Sequence, residues 1–195
     1  AVQVYGADSI GLVRTENIYG RILPPSLRGL TATFRAIVDA AGSKEVTFRV
    51  IDFQEDKKPA AWAFIDYRGY KWYLGHPLGR AVARQQLRAW LRLWTQERKR
   101  TLRVMFPMIK TLRDLEEALG LLEESKAREG VGPEVGLFDI GAMVETTEAV
   151  ENIDAILQRV QFISFGTNDL TSRLYPKASR SDTQAYEEYY LRVQP

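Results

Sequence analysis

The 195-residue chain has no cysteine and one histidine, His76. The first absence excludes disulfides, thiolate nucleophiles and cysteine-ligated zinc or iron–sulfur centres; the second excludes a metal site assembled from several imidazoles of one chain. Long apolar runs are missing too. No stretch reaches the roughly eighteen residues of a bilayer span, and no basic segment leads into an apolar one as in a secretory signal. We therefore expect a cytoplasmic protein with no membrane partner. Charge of one sign is also scarce: 27 Lys and Arg stand against 25 Asp and Glu, a formal net charge of +2, so no bulk field draws the chain to nucleic acid. Any anion site is local, and carboxylates are the metal ligands that remain.

What is present is 45% hydrophobic content, enough for a sizeable core in a single domain expected to run over residues 1–195. The apolar run Ile10 to Val13 stops in Arg14, Thr15 and Glu16 and reads as a short buried strand. Pro24, Pro25 and Ser26 offer a helix start, after which Leu27, Leu30, Phe34, Ile37 and Val38 recur at helical spacing up to Gly42. Val46 to Phe53 is β-branched and aromatic and ends in the polar cluster QEDKKP. From Trp62 to Gly75 the aromatic and glycine residues show no period, which predicts a loop or small hairpin. Val82, Leu87, Trp90, Leu91 and Trp94 then predict a helix over 81–98. Leu102 to Ile109 is a third strand, followed by a helix through Leu112, Leu115, Leu119 and Leu122 that ends near Gly130. A fourth strand ends in Glu145; Thr146, Thr147 and Glu148 start a short helix; FISFGTNDL, Phe162 to Leu170, is the fifth strand.

Nearly continuous apolar strands alternating with helices indicate parallel β-structure buried on both faces. In such sheets ligands bind where loops leave the carboxyl ends of the strands, so polar residues that end successive strands are expected to converge. Here these are Arg14 and Glu16, Arg49 and Asp52, Glu145, and Asn168 with Asp169. Two carboxylates one βα unit apart, Glu145 and Asp169, suit Mg²⁺ or Mn²⁺ completed by water and substrate oxygens. Arginines on the same rim offer forked donors for phosphate or carboxylate, and an amide such as that of Asn168 can bond a substrate oxygen. Each residue also has an ordinary structural explanation. Asn-Asp after a strand is a common helix cap, Glu145 can serve the following helix, and Arg14 and Arg49 can pair with Glu16 and Asp52. Their recurrence at consecutive strand ends favours a shared anion and metal site.

IGLVRTE at Ile10 to Glu16, FRVID at Phe48 to Asp52 with DK at Asp56 and Lys57, RVMFPMI at Arg103 to Ile109, GAMVETTEA at Gly141 to Ala149, and SFGTNDLT at Ser164 to Thr171 resemble, in order and spacing, the phosphoenolpyruvate (PEP)-binding barrel of the PEP-utilising enzymes. RTENIY and VMFPMI are most similar to the branch serving the bacterial sugar phosphotransferase system. The resemblance implies that Glu145 and Asp169 bind Mg²⁺ (or Mn²⁺), that Arg14 and Arg49 grip the phosphate, that Lys57 is a further basic ligand, and that Asn168 contacts substrate. HPLGRA resembles the segment that places Arg80 as a third phosphate ligand, with His76 where the family has Asn. Arg180 resembles the arginine that follows the GTNDL motif.

The implied fold is an incomplete (β/α)8 TIM-type barrel of about five βα units with parallel strands. The implied activity is phosphoryl transfer from PEP to a histidine, giving pyruvate. Three features depart from the family: QEDK at Gln54 to Lys57 replaces a Gly-Gly-Asp-Lys segment, the cysteine that protonates the enolate is absent, and so is the phosphohistidine domain. No catalytic residue is identified, and the chain alone is expected to bind rather than turn over. Five strands do not close a barrel, so we expect a homo-oligomer or a piece of a larger chain, with PEP or pyruvate and a phosphohistidine domain or protein as partners. Two other readings stay open: a degenerate PEP-binding or assembly module, and a lyase or aldolase barrel acting on pyruvate enolate.

Overall fold

The computed structural model describes residues 6–19, 25–52, 71–97, 102–132 and 138–174. Five strands form: β1 (Ser9–Arg14), β2 (Glu45–Arg49), β3 (Leu102–Phe106), β4 (Asp139–Val144) and β5 (Phe162–Phe165). All are parallel, and their order in the sheet is their order in the chain. A doubly wound sheet reverses direction at a switch point, whereas a barrel wall adds each strand beside the last. The observed order is that of a barrel wall, and the five strands curl into a half-barrel, an incomplete α/β barrel as the motifs implied.

The helices are α1 (Leu27–Ala41), α2 (Pro77–Glu97), α3 (Leu112–Arg128), the two short helices α4 (Thr147–Glu151) and α5 (Ile153–Leu157), and α6 (Thr167–Leu174). Among the described residues no helix is long and apolar enough to cross a membrane. Strand residues alternate between two faces. Val46 and Phe48 of β2, Val104 and Phe106 of β3, and Ala142 and Val144 of β4 are buried in the core beneath the helices, with Leu30, Phe34, Leu87 and Trp90. The Phe34 ring meets Phe48 edge-on at 5.0 Å and lies 5.1 Å from Trp90. The opposite face, the concave side of the curl, carries Arg49, Met105, Met143 and other buried side chains. Register across that face aligns Arg14 with Arg49, Arg49 with Met105, Met105 with Gly141, and Gly141 with Phe162.

Besides β2, which ends at Arg49 and does not reach Phe53, and β5, which ends at Phe165 and gives way to α6 instead of running to Leu170, three boundaries differ from those the periodicity predicts. First, α2 begins at Pro77 instead of 81 and is preceded by a π-type turn, Lys71–Gly75, where a loop was expected. Proline suits the first helical position because the amide it lacks would have no partner there, and the His76 ring accepts the Leu78 N–H through Nδ1 at 3.2 Å. Second, the helix before β5 is broken at Asn152, whose side-chain amide donates to the Glu148 carbonyl at 2.8 Å. Third, β3 stops at Phe106, because Pro107 has no N–H for the ladder and Met108 adopts a left-handed φ of 54°.

Candidate functional site

Arg14 and Arg49 end neighbouring strands as register partners. Like charges in this relation repel unless other groups compensate. For Arg49 the first compensation is Glu16: Nη2 donates to Glu16 Oε1 at 3.0 Å, and the same oxygen accepts the Asp52 backbone N–H at 2.9 Å. Both side chains are buried, and Nη1 of Arg49 also reaches Met143 Sδ at 3.8 Å. Burial works against the guanidinium charge, but Glu16, Asp52 and Glu145 outweigh it and hold Arg49 more firmly protonated than an ordinary arginine. The structural pairing the sequence left open for Arg49 is thus present, and it aims the guanidinium across the concave face.

That face opens into a cleft of about 140 Å³ at the carboxyl edge of the sheet. Its walls include Arg14, Arg49, Glu145, Asn168 and Asp169, contributed by β1, β2, the end of β4 and the first turn of α6. The structure therefore brings five of the sequence-nominated residues together.

Glu145 follows β4 and is fully buried. The helix cap belongs to its neighbour: Thr146 Oγ1 accepts the Ala149 N–H at 3.1 Å at the start of α4. Glu145 Oε1 accepts the Met108 N–H at 2.7 Å, while Oε2 is buried with no hydrogen-bond partner. Burial, then the charge of Asp52, raises its pKa; the Met108 N–H opposes this, Asp169 adds to it and Arg49 again opposes, leaving the group pushed up to about 8. A carboxylate held this way is stabilised by a cation, since a buried anion costs several kcal/mol without one.

Asp169 lies half-buried in the first turn of α6. Asn168 and Asp169 are inside the helix rather than ahead of it as a cap, and the Asn168 carbonyl accepts Ser172 Oγ at 2.9 Å. Among the described residues no group of three or more His, Cys, Asp or Glu is placed to hold a metal by protein ligands alone. The donor set nevertheless fits Mg²⁺ or Mn²⁺. A small hard cation takes one or two carboxylates and fills its octahedron with water and substrate oxygens, and Glu145, one of the residues lining the cleft, has its Oε2 unsatisfied.

Arg80 is placed elsewhere. In the first turn of α2, its Nη1 donates to the Leu74 carbonyl at 2.9 Å and its Nη2 pairs with Glu124 of α3 at 3.3 Å; it is not among the residues lining the cleft. The early start of α2 fixes it there. Lys57, the QEDK segment and Arg180 lie outside the described residues.

The periodicity did not single out Gln86. It is fully buried on α2, where its Nε2 donates to Thr15 Oγ1 at 2.8 Å and its Oε1 accepts the Ile51 N–H at 2.9 Å. Thr15 Oγ1 in turn donates to the Arg49 carbonyl at 3.1 Å, so one amide ties together the segments that follow both arginines at the ends of β1 and β2. Its position between Val82 and Trp90, four residues from each on the apolar stripe, was the available signal.

Fold and cleft together define an incomplete α/β barrel whose polar site sits at the carboxyl edge of its strands. The family model described as PEP-utilising enzyme, PEP-binding domain, matches residues 1–193, and the chain belongs to that family. It is 35% identical over 175 residues to a phosphoenolpyruvate-protein phosphotransferase of Staphylococcus carnosus, and 33% identical over 175 residues to one of Staphylococcus aureus; each match covers 85% of this chain and 30% of the relative. A multiphosphoryl transfer protein of Rhodobacter capsulatus is 33% identical over 174 residues, covering 85% of this chain and 20% of that protein. The chain thus spans less than a third of the length of these relatives. Enzymes of the family are in general metal-dependent.

Proposed function

We propose that this chain is the PEP- and divalent-cation-binding half-barrel of a PEP-dependent phosphotransferase that passes the phosphoryl group of PEP to a histidine and yields pyruvate. The observation that carries the reading is the single cleft in which Arg14 and Arg49 face Glu145 and Asp169. In this role the two arginines grip phosphate and carboxylate oxygens, the Glu16 bond keeps the Arg49 fork from swinging away, and Asn168 donates to a substrate oxygen. Glu145 and Asp169 would hold Mg²⁺ or Mn²⁺, which when bound neutralises charge on the transferring group. The chain's own groups are preorganised, so little reorganisation accompanies transfer. The partners of the reading are PEP or pyruvate and a phosphohistidine domain or protein, in the cytoplasm. Further βα units, from the same polypeptide or a second copy, would cover the edges of β1 and β5, where Phe165 is 57% exposed.

Calorimetric titration of PEP in the presence of Mg²⁺ is the test. Binding is expected, weakened by chelation of the metal and by Glu145→Ala; PEP binding indifferent to both would remove the reading. A second reading, a module that binds PEP without turnover, draws support from Arg80, which is engaged by Glu124 and the Leu74 carbonyl instead of the cleft. Pyruvate formation when a phosphohistidine domain is supplied separates the two.

A further inference from the structure

The aromatic stretch before α2 holds a residue that reaches a cleft carboxylate through an intervening peptide, without lining the cleft itself. Tyr73, in the π-type turn Lys71–Gly75, is fully buried, and its ring stacks on Phe106 with centroids 6.5 Å apart and planes 12° from parallel. Its hydroxyl donates to the Pro107 carbonyl at 2.9 Å. The other end of that same peptide unit is the Met108 N–H, which donates to Glu145 Oε1 at 2.7 Å. A trans peptide is rigid and planar, with its oxygen and hydrogen pointing in opposite directions. A hydroxyl that fixes the oxygen therefore fixes the direction of the N–H.

This peptide needs fixing. Pro107 has no N–H to enter the sheet ladder, and Met108 holds a φ of 54°, which a residue with a side chain keeps only when its surroundings impose it. Relaxation of Met108 to the ordinary region would turn the N–H away from Glu145. Hydrogen bonds in series also polarise one another, so the hydroxyl strengthens the donor that the carboxylate sees.

We propose that Tyr73 is a positioning residue: through the Pro107–Met108 peptide it locks the Glu145 carboxylate so that Oε1 is occupied and Oε2 is presented to a divalent cation. The inference rests on the cation-site reading of Glu145 above, and it names the residue that sets the ligand's orientation. Tyr73 itself touches neither cation nor substrate.

The test uses the full chain and Mn²⁺ as probe, followed by its paramagnetic signal, with amide hydrogen exchange read residue by residue. Tyr73→Phe keeps the ring stack and removes one hydroxyl. Mn²⁺ affinity is expected to fall roughly three- to tenfold and exchange at the Met108 amide to accelerate by a similar factor, the range set by loss of one hydrogen bond. Leu122→Ala, a core change on α3, serves as a control that lowers stability while leaving Mn²⁺ affinity as in the wild type. An unchanged Mn²⁺ affinity in Tyr73→Phe, or a loss no greater than in the control, overturns the proposal. So does a Met108 amide that exchanges in the wild-type chain as fast as an unprotected loop amide, which requires no variant at all. Failure of the underlying reading looks different: Glu145→Ala would then bind Mn²⁺ as the wild type does, while the exchange rate at Met108 still reports whether Tyr73 fixes the peptide.

Discussion

Gly166 lies against Glu145 so closely that a methyl at position 166 would stand 2.5 Å from Glu145 Cβ and 2.9 Å from Oε2. The glycine of the GTNDL segment therefore leaves room for the carboxylate that the preceding βα unit delivers. Gly166→Ala is expected to push Glu145 off its bond to Met108 and to lower stability by roughly 1–3 kcal/mol, as overpacking of a filled site does. Calorimetric Mg²⁺ titration should show weakened binding alongside a lower unfolding temperature. A variant that binds Mg²⁺ normally would mean that the carboxylate does not need this space.

Glu145 gives the protein a pH dependence of unusual sign. Its folded-state pKa is raised to about 8 from an ordinary value of 4.5, first by burial and next by Asp52. The folded chain thus retains a proton that the unfolded chain has released. The stability this group contributes is fully present below pH 4.5 and is lost as pH rises toward about 8. In chelator, the unfolding temperature should fall across that window. If Mg²⁺ takes the proton's place as proposed, its stabilising effect should grow over the same range. Glu145→Gln, which carries no proton to lose, should flatten this contribution. A metal-free profile equally steep in Glu145→Gln would assign the slope to other groups.

The strand ends are legible because the central strands β2, β3 and β4, largely buried on both faces, and the more exposed outer strands β1 and β5 all read as apolar runs, and the polar residue that stops each run is visible in one dimension. Arg14, Arg49, Glu145 and Asp169 all stand at or just beyond such run ends. What could not be read was the support. Gln86 bonds Thr15 and Ile51, and Tyr73 bonds Pro107, all at least 34 residues away in the chain; periodicity carries no information about such partners. Arg80 was read by motif similarity, but its place depends on where α2 starts, and propensity leaves that boundary open within a turn. Lys71–Gly75, the end of the stretch read as aperiodic, is a π-type turn whose Trp72, Tyr73 and Leu74 are all buried, so no amphipathic period marks it.

Gly79 supplies a test of whether packing or propensity governs the start of α2. In an exposed helix Gly→Ala is stabilising by about 1 kcal/mol. Here a methyl would fall 1.8 Å from the Trp72 carbonyl oxygen and 2.5 Å from its carbon, backbone atoms that cannot move without displacing the π-type turn. Gly79→Ala is expected to destabilise by roughly 1–3 kcal/mol, a drop of several degrees in unfolding temperature for a chain of this size. A rise in that temperature would show that the turn yields.

The amide of Gln86 should be more sensitive than its distance from the cleft suggests. Gln86→Leu keeps the volume but strands the Ile51 N–H and removes the donor to Thr15 Oγ1, and each buried polar group left without a partner costs about 1–3 kcal/mol. Urea unfolding should show a loss of roughly 2–4 kcal/mol. Because Thr15 also bonds the Arg49 carbonyl, PEP affinity should drop too. Unaltered stability would mean that water or another side chain satisfies these groups.

Arg14 and Arg49 end adjacent strands and face one cleft, yet their burial predicts opposite responses to substitution. Arg49 is 2% exposed and bonded to buried Glu16; Arg49→Met leaves that carboxylate without its cation and is expected to cost roughly 3–5 kcal/mol, the usual penalty for breaking a buried pair. Arg14 is exposed at its strand end, and Arg14→Ala should change stability by no more than about 0.5 kcal/mol. If both guanidiniums grip phosphate, both variants lose PEP affinity, but only the Arg49 variant unfolds more readily. Paired denaturation and PEP titrations separate the two effects. PEP affinity retained in Arg14→Ala would confine the phosphate grip to Arg49 and the remaining donors of the cleft, whereas a large stability loss there would mean that Arg14 is engaged in the fold and is not held ready for an anion.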